Sequence, residues 1–280
     1  KNLRNTARKG QTKHMDINQV ITGELGVKRW QVDAAVKLID EGNTIPFIAR
    51  YRKEVTGTLD DAQLRTLHER LMYLRNLEEK KEQVLASIEE QGKLTEELKK
   101  QILAAETMVV VEDLYRPYRP KRRTRAMIAK EKGLEPLAAL ITLQKAEKPI
   151  EVYAEEYVNP EKEVKSVKEA IDGAKDIIAE SVSDEADYRS WIRKATVQHG
   201  KVISQAKDEK AESVYEMYYD FEEPVTKLAG HRVLALNRGE KEKFLTVKIE
   251  APQDDILRYL EKKMIHSDNP HTTPILKEVA

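Results

Sequence analysis

The sequence contains no cysteine, which excludes disulfides and thiolate metal sites and makes a reducing compartment the natural fit. It lacks long apolar runs: the longest is five residues, 137–141, where a membrane span needs about twenty. No membrane partner is expected, and the first 14 residues hold no apolar stretch of the kind a secretory signal needs. Net charge is absent too. Lys plus Arg number 49 and Asp plus Glu number 49, so the whole chain is not a polycation that gathers nucleic acid by bulk charge. Aromatics are 6% of 280 residues, with 11 Gly and 10 Pro, while charged residues reach 35%. Few breakers and many charges point to long amphipathic helices, and 40% hydrophobic content still allows a core.

Chemistry-bearing motifs are missing as well. There is no GxxxxGK[ST], GxGxxG or GxSxG pattern. The histidines at 14, 68, 199, 231, 266 and 271 never pair at the i, i+4 spacing of a helical zinc site. No metal, cofactor or catalytic set is therefore expected, and the chain reads as a non-enzyme.

What is present is a succession of helix signals. Asp16 and Gln19 open a first helix, and a second spans 28–40 with Gly42 as its stop; the pair resembles a helix-turn-helix. The stretch 43–57 reads as a connection that buries Ile45, Phe47 and Ile48. Asp60 and Gln63 then form a capping box before a long helix, whose leucine stripe runs 64, 67, 71, 74, 77 and weakens across 78–83. Further starts stand at Thr95, Thr124, Glu135, Pro149, Ser166 and Ser183. MVVVEDLY at 108–115 is apolar and short, and helix and strand both fit it. From His231 the pattern changes: HRVLALN, a turn at RGEKEK, and the alternating FLTVKIE read as a β-hairpin, followed by a helix over 254–265 and an irregular end. The predicted fold is mainly α, an elongated multi-helix array with a helix-turn-helix-like start and a small β-hairpin near the C-terminus. The predicted parts are a tail at 1–14, the helix-turn-helix-like segment 15–57, a helical domain 58–222, and the hairpin plus helix 223–280. The tail carries five cations and no acid, and Met15 reads as the natural first residue.

The charge is unevenly placed. Six cations, Arg116, Arg119, Lys121, Arg122, Arg123 and Arg125, fall within ten residues that contain no acid, and Pro117 and Pro120 restrict the backbone. Arg50, Arg52 and Lys53 make a second cluster. Guanidinium groups meet two phosphate oxygens at once, so both clusters are candidate nucleic-acid contacts, with Tyr115 or Tyr118 as stacking partners. The other reading of the arm is a solvated loop, or arginines paired with the chain's own plentiful acids. The tyrosines of VYEMYYDF at 214–221 read as core.

Three blocks carry a resemblance: NTIPFIARYRKEVTGTLDDAQL, EDLYRPYRPKRRTRAMIAKEKGLEPLA and YYDFEEPVTKLAGHRVLALNRGEKE. Together they resemble the amino-terminal region of the Tex family, bacterial transcription accessory proteins similar to a eukaryotic transcription elongation factor. The resemblance covers essentially 15–280. It implies a cytoplasmic protein of transcription that binds RNA or DNA. It also implies a longer parent, which continues into a YqgF-type domain of ribonuclease-H-like fold, helix-hairpin-helix repeats and an RNA-binding barrel, so that this sequence is an amino-terminal fragment. The alternative is a protein-interaction scaffold that contacts RNA polymerase or ribosome-associated proteins, with nucleic-acid binding left to those further domains.

Overall fold

The computed structural model describes residues 15–280, so the predicted tail at 1–14 lies outside the described residues. The protein is mainly α, with fourteen α-helices and one three-stranded antiparallel sheet among the described residues. The chain divides into two compact units between Tyr115 and Arg116.

In the first unit, α1 (Ile17–Leu25), α2 (Arg29–Asp40), α3 (Ile45–Tyr51), α5 (Glu96–Ala104) and α6 (Met108–Tyr115) all pack against α4 (Asp61–Glu90). The long helix starts where the sequence says it should. Asp60 accepts from the Gln63 amide at 2.8 Å, and the Gln63 side chain accepts from the Asp60 amide at 3.1 Å. Leu64, Leu67, Leu71, Leu74, Leu77, Val84 and Ile88 are all buried along one stripe. Each such side chain contributes about 1.5–3 kcal/mol on leaving water.

The weakening of that stripe has a specific cause. Lys81 occupies the missing core position and is 1% exposed. Its Nζ donates to Glu78 Oε1 and to the Leu103 carbonyl, each at 2.9 Å, so the ammonium closes the gap between α4 and the end of α5. A buried ammonium is tolerated only when paired and hydrogen-bonded, and both conditions hold. Tyr73 accepts from the Met108 amide at 3.0 Å, and the Ser87 and Tyr115 hydroxyls share a bond of 3.0 Å, which fix both ends of α6 on α4. MVVVEDLY is thus a helix. The predicted connection at 43–57 is also partly helical, because Pro46 in its first turn presets the backbone for α3.

The second unit is built on α10 (Val167–Asp184), against which α7 (Arg125–Glu131), α8 (Glu135–Leu143) and α9 (Ile150–Ala154) pack. Gly173 permits the closest approach: a Cβ there would stand 2.4 Å from Leu134 Cδ1. The core joins Leu134, Leu137, Ile141 and Ile150 to Ala170, Ala174 and Ile178. Thr124 caps α7 by accepting from the Met127 amide at 3.1 Å, as its place in the sequence suggests. Gln144 is one of the side chains that hold the end of the chain, with Asn269, which donates to the Ala146 carbonyl at 2.9 Å, and Lys175, which meets Glu278 at 2.7 Å. Gln144, in the left-handed conformation at φ 54°, donates to the Met264 carbonyl at 2.7 Å and accepts from the His266 and Ser267 amides at 2.9 and 3.0 Å. Beyond this tie the predicted irregular end forms α14 (Thr273–Val279), again with a proline in the first turn.

The β element differs from the predicted hairpin. HRVLALN and most of RGEKEK form a helix, α12 (Gly230–Lys241), and not a strand and turn. FLTVKIE does supply a strand, β3 (Leu245–Glu250), but its partner is β1 (Lys201–Ala206), which in turn pairs with β2 (Asp220–Pro224) in the order β2-β1-β3. Burial in α12 falls on Leu236 and Gly239, three apart, while Leu234 is 72% exposed. That is a helical period, hidden by the apolar run VLAL. Tyr215 and Tyr218 are buried in the small core under the sheet, as expected of VYEMYYDF.

Replacing Lys81 by Ala should lower the unfolding free energy by about 3 kcal/mol, because it opens a cavity and removes the ammonium that donates to Glu78 and to the Leu103 carbonyl. Urea denaturation measures it. Lys81→Met, which keeps the stem, should cost less than Lys81→Ala.

Candidate nucleic-acid interface

The basic arm leaves α6 at Tyr115 and reaches α7 at Arg125 with a turn at 116–118 and no helix or strand after it. Its cations divide into two groups. Arg116 Nε donates to Asp184 Oδ1 at 2.9 Å, and Lys121 Nζ donates to Asp184 Oδ2. Lys121 also lies 3.8 Å from Glu180 Oε1. Asp184 is the last residue of α10 and only 7% exposed. A carboxylate at a helix C-terminus faces the negative end of the dipole, so the two cations offset both its burial and its position. These two members of the predicted site anchor the arm.

The others face water. Arg119, Arg122, Arg123 and Arg125 are exposed. Arg123 meets Glu131 at 2.7 Å with both side chains more than half exposed, and Arg125 meets Asp176 at 3.4 Å while remaining 86% exposed. Pairs of this kind are worth about 0–1 kcal/mol and yield readily to another anion. Arg122 forms no ion pair among the described residues. Tyr115 bonds Ser87 through its hydroxyl, and the Lys80 ammonium sits 5.8 Å from its ring.

The second predicted cluster lies at the C-terminal end of α3. Arg50, Arg52 and Lys53 are exposed and form no ion pair among the described residues. Phe47, expected in the core, is instead 37% exposed; Ile48 alone of the predicted trio is fully buried. The reason is the helix itself. Phe47 and Tyr51 are four residues apart, so both rise on one outward face, with ring centroids 5.3 Å apart. The Arg52 guanidinium sits 5.5 Å from the Phe47 ring, and that of Arg50 sits 6.0 Å from Tyr51. Reading 43–57 as a connection hid this pair, and the i, i+4 aromatics were the signal that would have found it.

The first helix pair, α1 and α2, offers less to an anion. Arg29 bonds Asp16 and Asp33, each at 2.9 Å. The Arg29 guanidinium and the Gln19 amide hold the Asp16 carboxyl below its ordinary value; Asn18 and then Arg29 do the same for Asp33. Among the described residues no group of three His, Asp or Glu side chains is arranged to hold a metal ion, and no helix is long and apolar enough to cross a membrane.

Comparison with known proteins finds relatives over most of the chain. Residues 15–89 match the family described as Tex-like protein N-terminal domain, and residues 144–272 match the one described as Tex central region-like. The chain is 48% identical over 265 residues to protein YdcI of Bacillus subtilis (strain 168), covering 94% of this chain and 37% of that protein. It is 44% identical over 246 residues to the transcriptional accessory protein Tex of Neisseria gonorrhoeae, covering 86% of this chain and 32% of that one. It is 30% identical over 257 residues to the human S1 RNA-binding domain-containing protein 1, covering 87% and 25% respectively. The chain therefore spans between 25% and 37% of the length of these relatives.

Removing the anchor isolates its role. Asp184→Ala should lower the unfolding free energy by about 2 kcal/mol through the loss of two charge-assisted bonds. It should also speed tryptic cleavage after Arg122 and Arg123, which mass spectrometry of a timed digest would show.

Proposed function

Because the chain belongs to the Tex family, we propose that it is a nucleic-acid-associated transcription accessory protein whose basic arm contacts phosphates without reading sequence. One observation carries the proposal: Arg116 and Lys121 tie the arm to Asp184, while Arg122, Arg123 and Arg125 remain at the surface. Holding the segment in place before contact reduces the ordering cost of binding. Phosphate contacts fix position and carry no sequence information, so the expected binding is sequence-independent. The names of the relatives agree, one a transcriptional accessory protein and one carrying an S1 RNA-binding domain. On this reading the protein works in the cytoplasm, without catalytic turnover, on RNA or DNA near the transcription machinery. Contacts to RNA polymerase or to ribosome-associated proteins form the alternative, in which this chain is a scaffold and the grip on nucleic acid lies elsewhere in the longer relatives.

Fluorescence anisotropy with labelled duplex and single-stranded oligonucleotides separates the two. Three phosphate contacts give a log–log salt slope of about −2.7 on duplex, a loss of about fortyfold between about 50 and 200 mM salt. Changing Arg122 and Arg123 together to Glu should abolish most of that slope. Equal affinity in the variant would remove the arm from the account, and pull-down partners that survive nuclease treatment would favour the scaffold.

A further inference from the structure

From the exposed face of α3 and the turn that follows it, we infer that Phe47 and Tyr51, with Arg50, Arg52 and Lys53, form a stacking platform for single-stranded nucleic acid. The inference rests on the reading that this chain meets nucleic acid, and is independent of the arm. Phe47 is 37% and Tyr51 61% exposed, which places two rings at the surface of a chain that is only 6% aromatic. Position at a helix C-terminus explains a cation or two there, through the dipole. It does not explain two outward rings, each with a guanidinium beside it.

The cation-bearing turn is built, not loose. The Thr56 and Thr58 amides donate to the carbonyls of Arg52 and Lys53 at 3.2 and 2.8 Å. Thr56 is fully buried, and Gln31 Nε2 donates to the Gly57 carbonyl at 2.8 Å. Gly57 has φ 61°, and a Cβ there would stand 2.3 Å from Trp30 Cη2, so α2 and this turn are in close contact at a position only glycine satisfies. The side chains of 52 and 53 thus project from a fixed backbone.

The chemistry of the surface selects the partner. Every nucleotide of an unpaired strand offers one planar π-face and one phosphate, and this surface alternates rings with cations that have no acid of their own. Duplex has its faces already stacked, so only its phosphates would engage. An acidic peptide would satisfy the cations and leave both rings in water. Single-strand preference is therefore the signature of the platform, and the arm carries no such preference.

The test uses the 280-residue chain with a short fluorescent oligonucleotide, single-stranded or annealed. The variants are the double change Phe47→Ala with Tyr51→Ala and, separately, Arg122→Glu with Arg123→Glu. Both target exposed side chains, and circular dichroism checks the fold. The aromatic variant should bind single strand about tenfold more weakly and duplex within about twofold of the parent. The arm variant should weaken both. Tyr51→Trp, which keeps a ring, should bind single strand at least as well as the parent even if the double variant folds poorly. Unchanged single-strand affinity in the aromatic variant, or an equal loss on duplex, would overturn the inference while leaving the arm intact. Binding of poly-glutamate that is lost in the aromatic variant, with oligonucleotide binding unaffected, would overturn it in favour of an acidic protein partner.

Discussion

One buried carboxylate organises the basic arm. Asp184 ends α10, nearly closed to solvent, and takes Arg116 on one oxygen and Lys121 on the other. Without those cations a charge at the negative end of a helix dipole would have no compensation. Without that carboxylate the segment between α6 and α7 would lose its two charged attachments to α10. The same contact decides which cations remain for a ligand: two are committed to the fold, and Arg122, Arg123 and Arg125 are left where solvent or a phosphate can reach them. That node accounts for two of the six cations that a chain of zero net charge gathers in this one place.

The same logic appears in the first unit, with the sign of the buried group reversed. Lys81 fills a core position in α4 and is held by Glu78 and a carbonyl of α5. On the outside of that unit, Arg50, Arg52 and Lys53 find no acid among the described residues. Lys81, Arg116 and Lys121 are paired with acids of the fold, while Arg122 on the arm and Arg50, Arg52 and Lys53 at α3 form no ion pair among the described residues. This division, made twice in one chain, is the physical ground for proposing contact with a polyanion at these two surfaces.

What could be read from the sequence follows how local each determinant is. The caps at Asp60 and Thr124 depend on residues three positions away, and the structure has them. The α4 stripe was legible except at Lys81, because a lysine carries no apolar signal. The hairpin was misread because the true partner of 245–250 lies at 201–206, across a helix that was mistaken for a strand. Asp184 could not be named as the anchor from sequence, since it lies 68 residues from Arg116 with nothing local to mark it. The family blocks were legible because they are contiguous, but belonging to a signature does not distinguish an arginine that holds a helix from one that meets a phosphate. Only the geometry around each guanidinium separates them.

Arginine-selective modification with phenylglyoxal, read residue by residue by mass spectrometry with and without a bound oligonucleotide, tests this division most directly. The account predicts slower labelling of Arg116 than of Arg122 and Arg123, little changed by the oligonucleotide, and labelling of Arg122 and Arg123 that the oligonucleotide suppresses. Labelling of Arg116 as fast as that of Arg122 and Arg123, or labelling of Arg122 and Arg123 that saturating oligonucleotide leaves unchanged, would contradict it.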